Sequence, residues 1–282
     1  MSSPVWFITG ASNGFGLILA LKALKANHRV VGTVRNKTKS AEAVKQIEAA
    51  GGQVIELDLN EPKDSIDKKV KAVGQIDYLI NNAGFFVIGA VEQVTEKEAQ
   101  LQLQTNFFGP LYVIQAALPG MRARRSGTIV NLSSIAAKDP QATSGLYAAS
   151  KGALEALSES LAQEVAAFGV SVLIVEPGAF RTNFLAAFTP PSAPLPPDYD
   201  GTVVETTRRK FEGADGKQIG DPHKGVDRIF EAVTGEGLAG RLRGKVSRLV
   251  IGSDSLQRMK KSNDKFLSDL ALQENIALST DY

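Results

Sequence analysis

Val5-Trp6-Phe7-Ile8-Thr9-Gly10-Ala11-Ser12-Asn13-Gly14-Phe15-Gly16 is the stretch on which the fold turns. An unbroken apolar run suits a strand buried on both faces, and a helical pattern over 14–26 starts at the glycines. Glycine lets a backbone turn tightly and approach a pyrophosphate, whose charge is favoured by the N–H groups of a helix N-terminus. The spacing is G-x-x-x-G-x-G, not G-x-G-x-x-G. Alone, such a loop is either a nucleotide cradle or an ordinary glycine-rich turn. Its place between a first strand and a first helix favours the cradle.

Further β-rich runs lie at 29–34, 53–57, 76–81, 128–132, 170–175 and 247–251, with helical patterns near 39–50, 62–74, 95–124, 145–168 and 224–234. Strands alternating with helices imply a parallel sheet with right-handed crossovers. The expected fold is α/β: a Rossmann-type, doubly wound, seven-stranded parallel sheet flanked by helices, in one domain over 1–282. From 183 to 223 no long element is evident, and Pro190, Pro191, Pro194, Pro196 and Pro197 crowd the segment. A long irregular stretch leaving the carboxyl edge of such a sheet is expected to be a substrate lid. Residues 252–282 form a C-terminal extension.

Composition removes several classes of function. The 32 basic and 30 acidic residues leave a net charge of +2, without the concentrated basic face of a nucleic-acid binder. The cluster Arg122-Ala123-Arg124-Arg125 reads as a solvated helix end, with cations well placed for the helix dipole. There is no cysteine, which excludes disulfides and thiol chemistry, and His28 and His223 are too far apart to suggest a metal site. The run Val5–Ile8 is too short for a signal peptide, and no apolar run reaches the length of a membrane span. A cytoplasmic protein without a membrane or nucleic-acid partner is expected.

Chemistry concentrates where strands end. The second strand closes with Thr33-Val34-Arg35-Asn36, followed by Lys37 and Lys39. No carboxylate is present to grip a free ribose 2′-hydroxyl, whereas a guanidinium suits a 2′-phosphate. Asn81-Asn82-Ala83-Gly84 closes the fourth strand and Asn131-Leu132-Ser133-Ser134 the fifth, while Tyr147-Ala148-Ala149-Ser150-Lys151 opens a long helix. Tyrosine and lysine four residues apart share one helical face. Y-x-x-x-K is common by chance, and Ser134 at a strand's carboxyl end is what makes it specific.

Over residues 5 to 182 the ordered set resembles the short-chain dehydrogenase/reductase family in its enzyme branch, and, less specifically, members similar to 17β-hydroxysteroid dehydrogenases. The resemblance implies NADP(H) as cofactor. It would be held by Gly10, Ser12, Asn13, Gly14, Phe15 and Gly16, by Arg35, and by Asp58 with Leu59 at the adenine ring. Asn82, Ala83, Gly84, Tyr147, Lys151, Pro177, Gly178 and Thr182 complete the implied cofactor set. The implied catalytic residues are Ser134, Tyr147, Lys151 and Asn106, the last holding a water that links Lys151 to solvent. They would interconvert a ketone or aldehyde and an alcohol on a lipophilic small molecule, with Tyr147 as proton donor and acceptor. Bringing a phenol from about 10 to about 7 takes roughly 4 kcal/mol. An ammonium about 4 Å away at an effective dielectric of about 20 supplies about that much, so Lys151 is expected to provide most of the shift. Phe85, Ile135, Phe180, Phe184 and Phe188, with Phe86 and Leu185 nearby, are candidates for an apolar substrate pocket. No metal is expected, and a homodimer or homotetramer is. A non-redox enzyme of the same fold, or a cofactor-sensing regulator using bound NADP(H) structurally, stays open as the alternative.

Overall fold

The apolar runs become strands because each has two faces to fill. In the computed structural model, which describes residues 3–185 and 187–282, side chains alternate across one sheet. Trp6, Ile8, Ile80 and Val130 face one helical layer, while Phe7, Leu79 and Ile129 face the other. The strands are β1 (Val5–Ile8), β2 (Arg29–Val34), β3 (Gln53–Glu56), β4 (Tyr78–Asn81), β5 (Gly127–Leu132), β6 (Val170–Pro177) and β7 (Arg248–Ile251). They lie parallel in the order β3-β2-β1-β4-β5-β6-β7. The order reverses between β1 and β4, and ligands bind outside the carboxyl ends at such a switch point.

The helices are α1 (Gly14–Lys25), α2 (Ala41–Ala49), α3 (Lys63–Lys71), α4 (Glu96–Leu103), α5 (Gly109–Arg124), α6 (Gly145–Val165), α7 (Val203–Glu212), α8 (Pro222–Thr234), α9 (Gly237–Gly240) and α10 (Ser253–Leu278). Three features differ from the pattern read in the sequence. The long helix expected over 95–124 is divided, because residues Gln104–Phe108 form one turn of π-helix between α4 and α5. The stretch 183–223 is not irregular throughout, since it contains α7. Val203, Val204, Thr206 and Thr207 are weak helix formers, so little signal marks it. It forms because Thr202 caps it and Arg209–Glu205 and Arg208–Glu212 pair one turn apart. Third, most of the C-terminal extension is the 26-residue helix α10.

The stretch 183–223, of which residue 186 lies outside the described residues, is stitched down at two places. At its base the N–H of Arg181 donates to the carbonyl of Gly220 at 2.9 Å, and that of Gly220 to Ala179 at 3.0 Å. Further along, Thr189 bonds across to Phe86 and Ile88, and Gln93 Nε2 donates to the carbonyl of Ala193 at 3.1 Å. Glu98 accepts from the N–H of Ser192 at 2.7 Å, and its backbone donors hold its carboxyl down at about 2.

Candidate active site

The glycine loop has room only for backbone. Gly10 has φ +68°, and a Cβ there would lie 2.8 Å from the Ala83 Cα. At Gly16 a Cβ would meet the Gly10 carbonyl oxygen at 2.3 Å. Thr9 and Asn82 lock the arrangement. The Thr9 hydroxyl accepts from the N–H groups of Asn82 and Ala83 at 3.0 and 3.1 Å. Asn82 Nδ2 donates to the carbonyls of Thr9 and Gly10, both at 3.0 Å. Asn13 occupies the N-cap of α1 without a side-chain cap bond, and no acid stands in the first turn. The leading N–H groups are thus left to an anion.

The other implied cofactor residues border the same carboxyl edge. Thr182 sits over Gly14, where an added Cβ would approach its own Cβ to 3.3 Å. Arg35 is exposed just past β2, and the N–H of Lys37 donates to Glu56 at 2.7 Å. Asp58 accepts from both Asn60 nitrogens, and Leu59 is buried against Gly109. Gly178 follows Pro177 and leaves Asp254 room to accept from the N–H of Ala179 at 2.7 Å. Ser12 is half-buried in the loop, and the Phe15 ring turns inward, 5.0 Å from Phe180. The cradle that a Cβ would fill, the uncapped α1 and the exposed arginine together fit a phosphorylated dinucleotide.

Next to this cradle lie the four residues implied to be catalytic. Tyr147 and Lys151 start α6 on one face, and both are buried. Lys151 Nζ donates to the carbonyl of Leu132 at 2.6 Å and lies 5.9 Å from the centre of the Tyr147 ring. Asn106 is in the π turn, a local widening often found at functional sites. Its Nδ2 donates to the Phe85 carbonyl and Ser150 Oγ at 3.0 and 3.1 Å, and its Oδ1 accepts from the N–H of Phe85. A Cβ on Gly84 would come within 3.2 Å of that Oδ1 and 3.5 Å of Lys151 Nζ, so glycine keeps the space open. Ser134 begins a short 3-10 turn, with Oγ accepting from the N–H of Ala136 at 3.1 Å.

Burial dominates the electrostatics. It pushes the Tyr147 phenol up to about 12, with only the Ser134 hydroxyl pulling the other way. It also pulls the Lys151 ammonium down to about 8, opposed by the charge of Glu155. Burial thus acts against the downward shift expected from Lys151. The ammonium is bonded to Leu132 and sits beside the ring, so desolvation outweighs it and Tyr147 is a neutral phenol at pH 7.

An aromatic cap encloses the phenol. Phe86 lies 4.5 Å from Tyr147 and Phe184 5.9 Å, ring centre to ring centre, and Phe211 of α7 meets Phe86 edge-on at 5.4 Å. Phe188 and Leu185 join this cluster. Ile135 is buried next to Ser134, and Phe85 contributes its backbone to Asn106. Phe180 stands apart from the other pocket candidates. It packs on Phe15, Gly220 and Gly225, in the layer of α1 and α8. Reading the sequence missed Phe211, because α7 was not recognised. It also missed Gln102, whose buried amide bridges the Phe85 carbonyl and the Val87 N–H at 2.7 and 2.8 Å.

An acidic network, of which Glu155 and Glu176 are buried, lies behind Ser133. Ser133 donates to Glu155 at 2.6 Å, and Arg248 donates to Glu155 at 2.8 Å, Glu176 at 2.6 Å and Glu159 at 2.7 Å. Burial and the neighbouring Glu155 push the Glu176 carboxyl up to about 7. Among the described residues no cluster of three or more histidines and acids could hold a metal, and no helix is long and apolar enough to cross a membrane.

The family model described as short chain dehydrogenase matches residues 4–192. Oxidoreductase claN of Passalora fulva is 44% identical over 188 residues, covering 66% of this chain and 86% of that one. A 3-ketodihydrosphingosine reductase of Bacteroides thetaiotaomicron is 39% identical over 184 residues, 65% of this chain and 66% of its own. Among solved structures, a short-chain dehydrogenase from Streptomyces avermitilis superimposes with a TM-score of 0.87 at 36% identity, covering 100% of both chains.

Proposed function

The chain belongs to the short-chain dehydrogenase family, and we propose that it is an NADP(H)-dependent oxidoreductase interconverting a ketone or aldehyde and an alcohol on a lipophilic small molecule. The observation that carries this proposal is the enclosure of the Tyr147 phenol by Phe86 and Phe184, with Lys151 one helical turn away and Ser134 adjacent. The bound dinucleotide would supply the hydride. Ser134 Oγ–H donates to the substrate oxygen and stabilises the charge that develops there. Tyr147 then gives its hydroxyl proton to that oxygen, and a neutral phenol is the state a proton donor requires. Lys151, whose pKa of about 8 leaves it mostly protonated at pH 7, faces the phenolate this leaves and stabilises its negative charge. Asn106 positions the Phe85 backbone at the edge of the site through its two bonds to it.

Arg35 is assigned to the 2′-phosphate, because nothing acidic ends β2 and the guanidinium is exposed. Residues 183–223 are assigned as the lid, since Phe184, Phe188 and Phe211 close over Tyr147 and must move for a substrate to enter. The apolar lining selects a lipophilic substrate, and the keto substrate in the name of the Bacteroides relative agrees with carbonyl reduction.

The test follows NADPH absorbance with a panel of ketones and aldehydes. Tyr147→Phe is expected to bind NADPH as before and to lose nearly all turnover, and Ser134→Ala to lose about 100-fold. Near-normal reduction by Tyr147→Phe, or NADPH binding without turnover across the panel, would overturn the proposal.

A further inference from the structure

After Ser262, whose hydroxyl donates to the carbonyl of Lys138, helix α10 leaves the body of the protein, and every residue from 263 to 282 is exposed. A helical segment of this length is marginal in water on its own. Yet this one displays Phe266 and Leu270 on one face with Leu267 and Ile276 flanking them, each at least 43% exposed, while Leu272 and Leu278 lie on other sides of the helix. Such a surface calls for a partner.

The sequence of the helix says which one. Met259, Asn263, Phe266, Leu270, Gln273 and Ala277 repeat at alternating intervals of four and three, the seam of a coiled coil. This seam reads the same from either end about Ser268. We propose that α10 pairs antiparallel with α10 of a second copy of this chain. Phe266 then packs on the partner's Leu270, Asn263 faces the partner's Gln273 as amide against amide, and Met259 meets the partner's Ala277. The small alanine falls where α10 still lies against the body and space is tightest. On one flank Lys260 meets the partner's Glu274, twice by symmetry, and Leu267 meets the partner's Leu267. On the other flank Asp269 faces its own copy, and Lys265, 3.7 Å away on the same helix, offsets the repulsion. A two-fold axis makes one patch its own complement, so each favourable contact occurs twice. A membrane surface fits less well. Interfacial helices carry lysine and arginine on the polar face, whereas 263–282 has one lysine against Asp264, Asp269, Glu274 and Asp281.

The full chain should sediment at no less than twice its 30.0 kDa mass, and Leu270→Glu, at an exposed position, should at least halve that mass. Lys260→Glu and Glu274→Lys should each weaken assembly, and the double variant should restore it. The chain has no cysteine, so Leu267→Cys should give a disulfide-linked pair under mild oxidant. Ala277→Cys should not, because antiparallel pairing holds the two residues about 27 Å apart. A monomeric wild type overturns the proposal, as does a mass unmoved by Leu270→Glu. So does cross-linking through 277 instead of 267, or a monomer that sediments with vesicles of mixed zwitterionic and anionic lipid.

Discussion

Replacing Lys151 by methionine should abolish turnover and at the same time make the protein more stable. Burial takes the ammonium from 10.5 to about 8, which at about 1.4 kcal/mol per pH unit is about 3 kcal/mol of destabilisation when the group is charged. Methionine keeps most of the stem's length and apolar contact without the charge. It loses the hydrogen bond to the Leu132 carbonyl, made at 2.6 Å, which in neutral form contributes about 1 kcal/mol. The net expectation at pH 7 is about 2 kcal/mol in favour of Lys151→Met, or about 4 °C in Tm for a chain of this size.

The pH dependence separates this cause from ordinary repacking. In the unfolded chain the lysine keeps its proton up to 10.5, and in the folded protein it loses it near 8. Between those values the unfolded state binds more protons, so wild-type stability rises with pH. The advantage of the variant should therefore be greatest below pH 8, shrink above it and close near 10.5. Urea denaturation of both proteins from pH 7 to 10 measures the gap, and other titrating groups cancel in the difference. A variant no more stable than wild type at pH 7, or a gap constant with pH, would refute the reasoning.

Three further expectations concern other parts of the molecule. Arg35→Ala should weaken NADPH by about tenfold to a hundredfold, the range of a charge-assisted hydrogen bond, and leave NADH unchanged; equal loss for both in fluorescence titrations would remove Arg35 from the phosphate site. Glu176 is fully buried and titrates near 7 instead of 4.5, so its contribution to stability is complete below 4.5 and lost as pH rises through 7. Glu176→Gln should accordingly gain on wild type between pH 5 and 8, and an unchanged gap in denaturation midpoints would count against this. Glu98→Gln weakens the acceptor that holds the Ser192 N–H, so limited proteolysis should cut within 183–223 faster than in wild type and slow again with cofactor and substrate bound; unaltered cutting would show that this anchor does not hold the lid.

Legibility from the sequence follows the range of the interactions involved. Parallel strands were readable because Trp6, Phe7 and Ile8 have to be apolar on both faces, a constraint written in consecutive residues. The glycine loop and the Tyr147–Lys151 pair were readable for the same reason, since a turn or a helical face is fixed within a few positions. What escaped depends on distant partners. Helix α7 has poor intrinsic propensity and forms around a cap, two ion pairs and the packing of Phe211 on Phe86. The π turn at Asn106 hides inside a continuous helical pattern, and its side-chain bonds go to Phe85 and Ser150, 21 and 44 residues away. Phe180 sits two residues after the Pro177-Gly178 motif, yet its ring is set by Gly220 and Gly225, which no local pattern reveals.

The inverted electrostatics of Tyr147 and Lys151 have the same origin. A pairwise estimate at a fixed distance treats the ammonium as the only influence on the phenol. In the folded site both groups are buried, and desolvation acts on them in opposite directions, raising the acid to about 12 and lowering the base to about 8. Burial thus favours the neutral phenol, while the lysine, at about 8, still carries most of its charge at pH 7. Proton donation leaves a phenolate next to that ammonium, which stabilises the new negative charge and is held protonated by it. An aromatic enclosure that opposes ionisation at rest thus strengthens the attraction between the two side chains when the reaction puts charge between them. A polar enclosure would hydrate the phenol, return it towards its ordinary value and weaken that attraction.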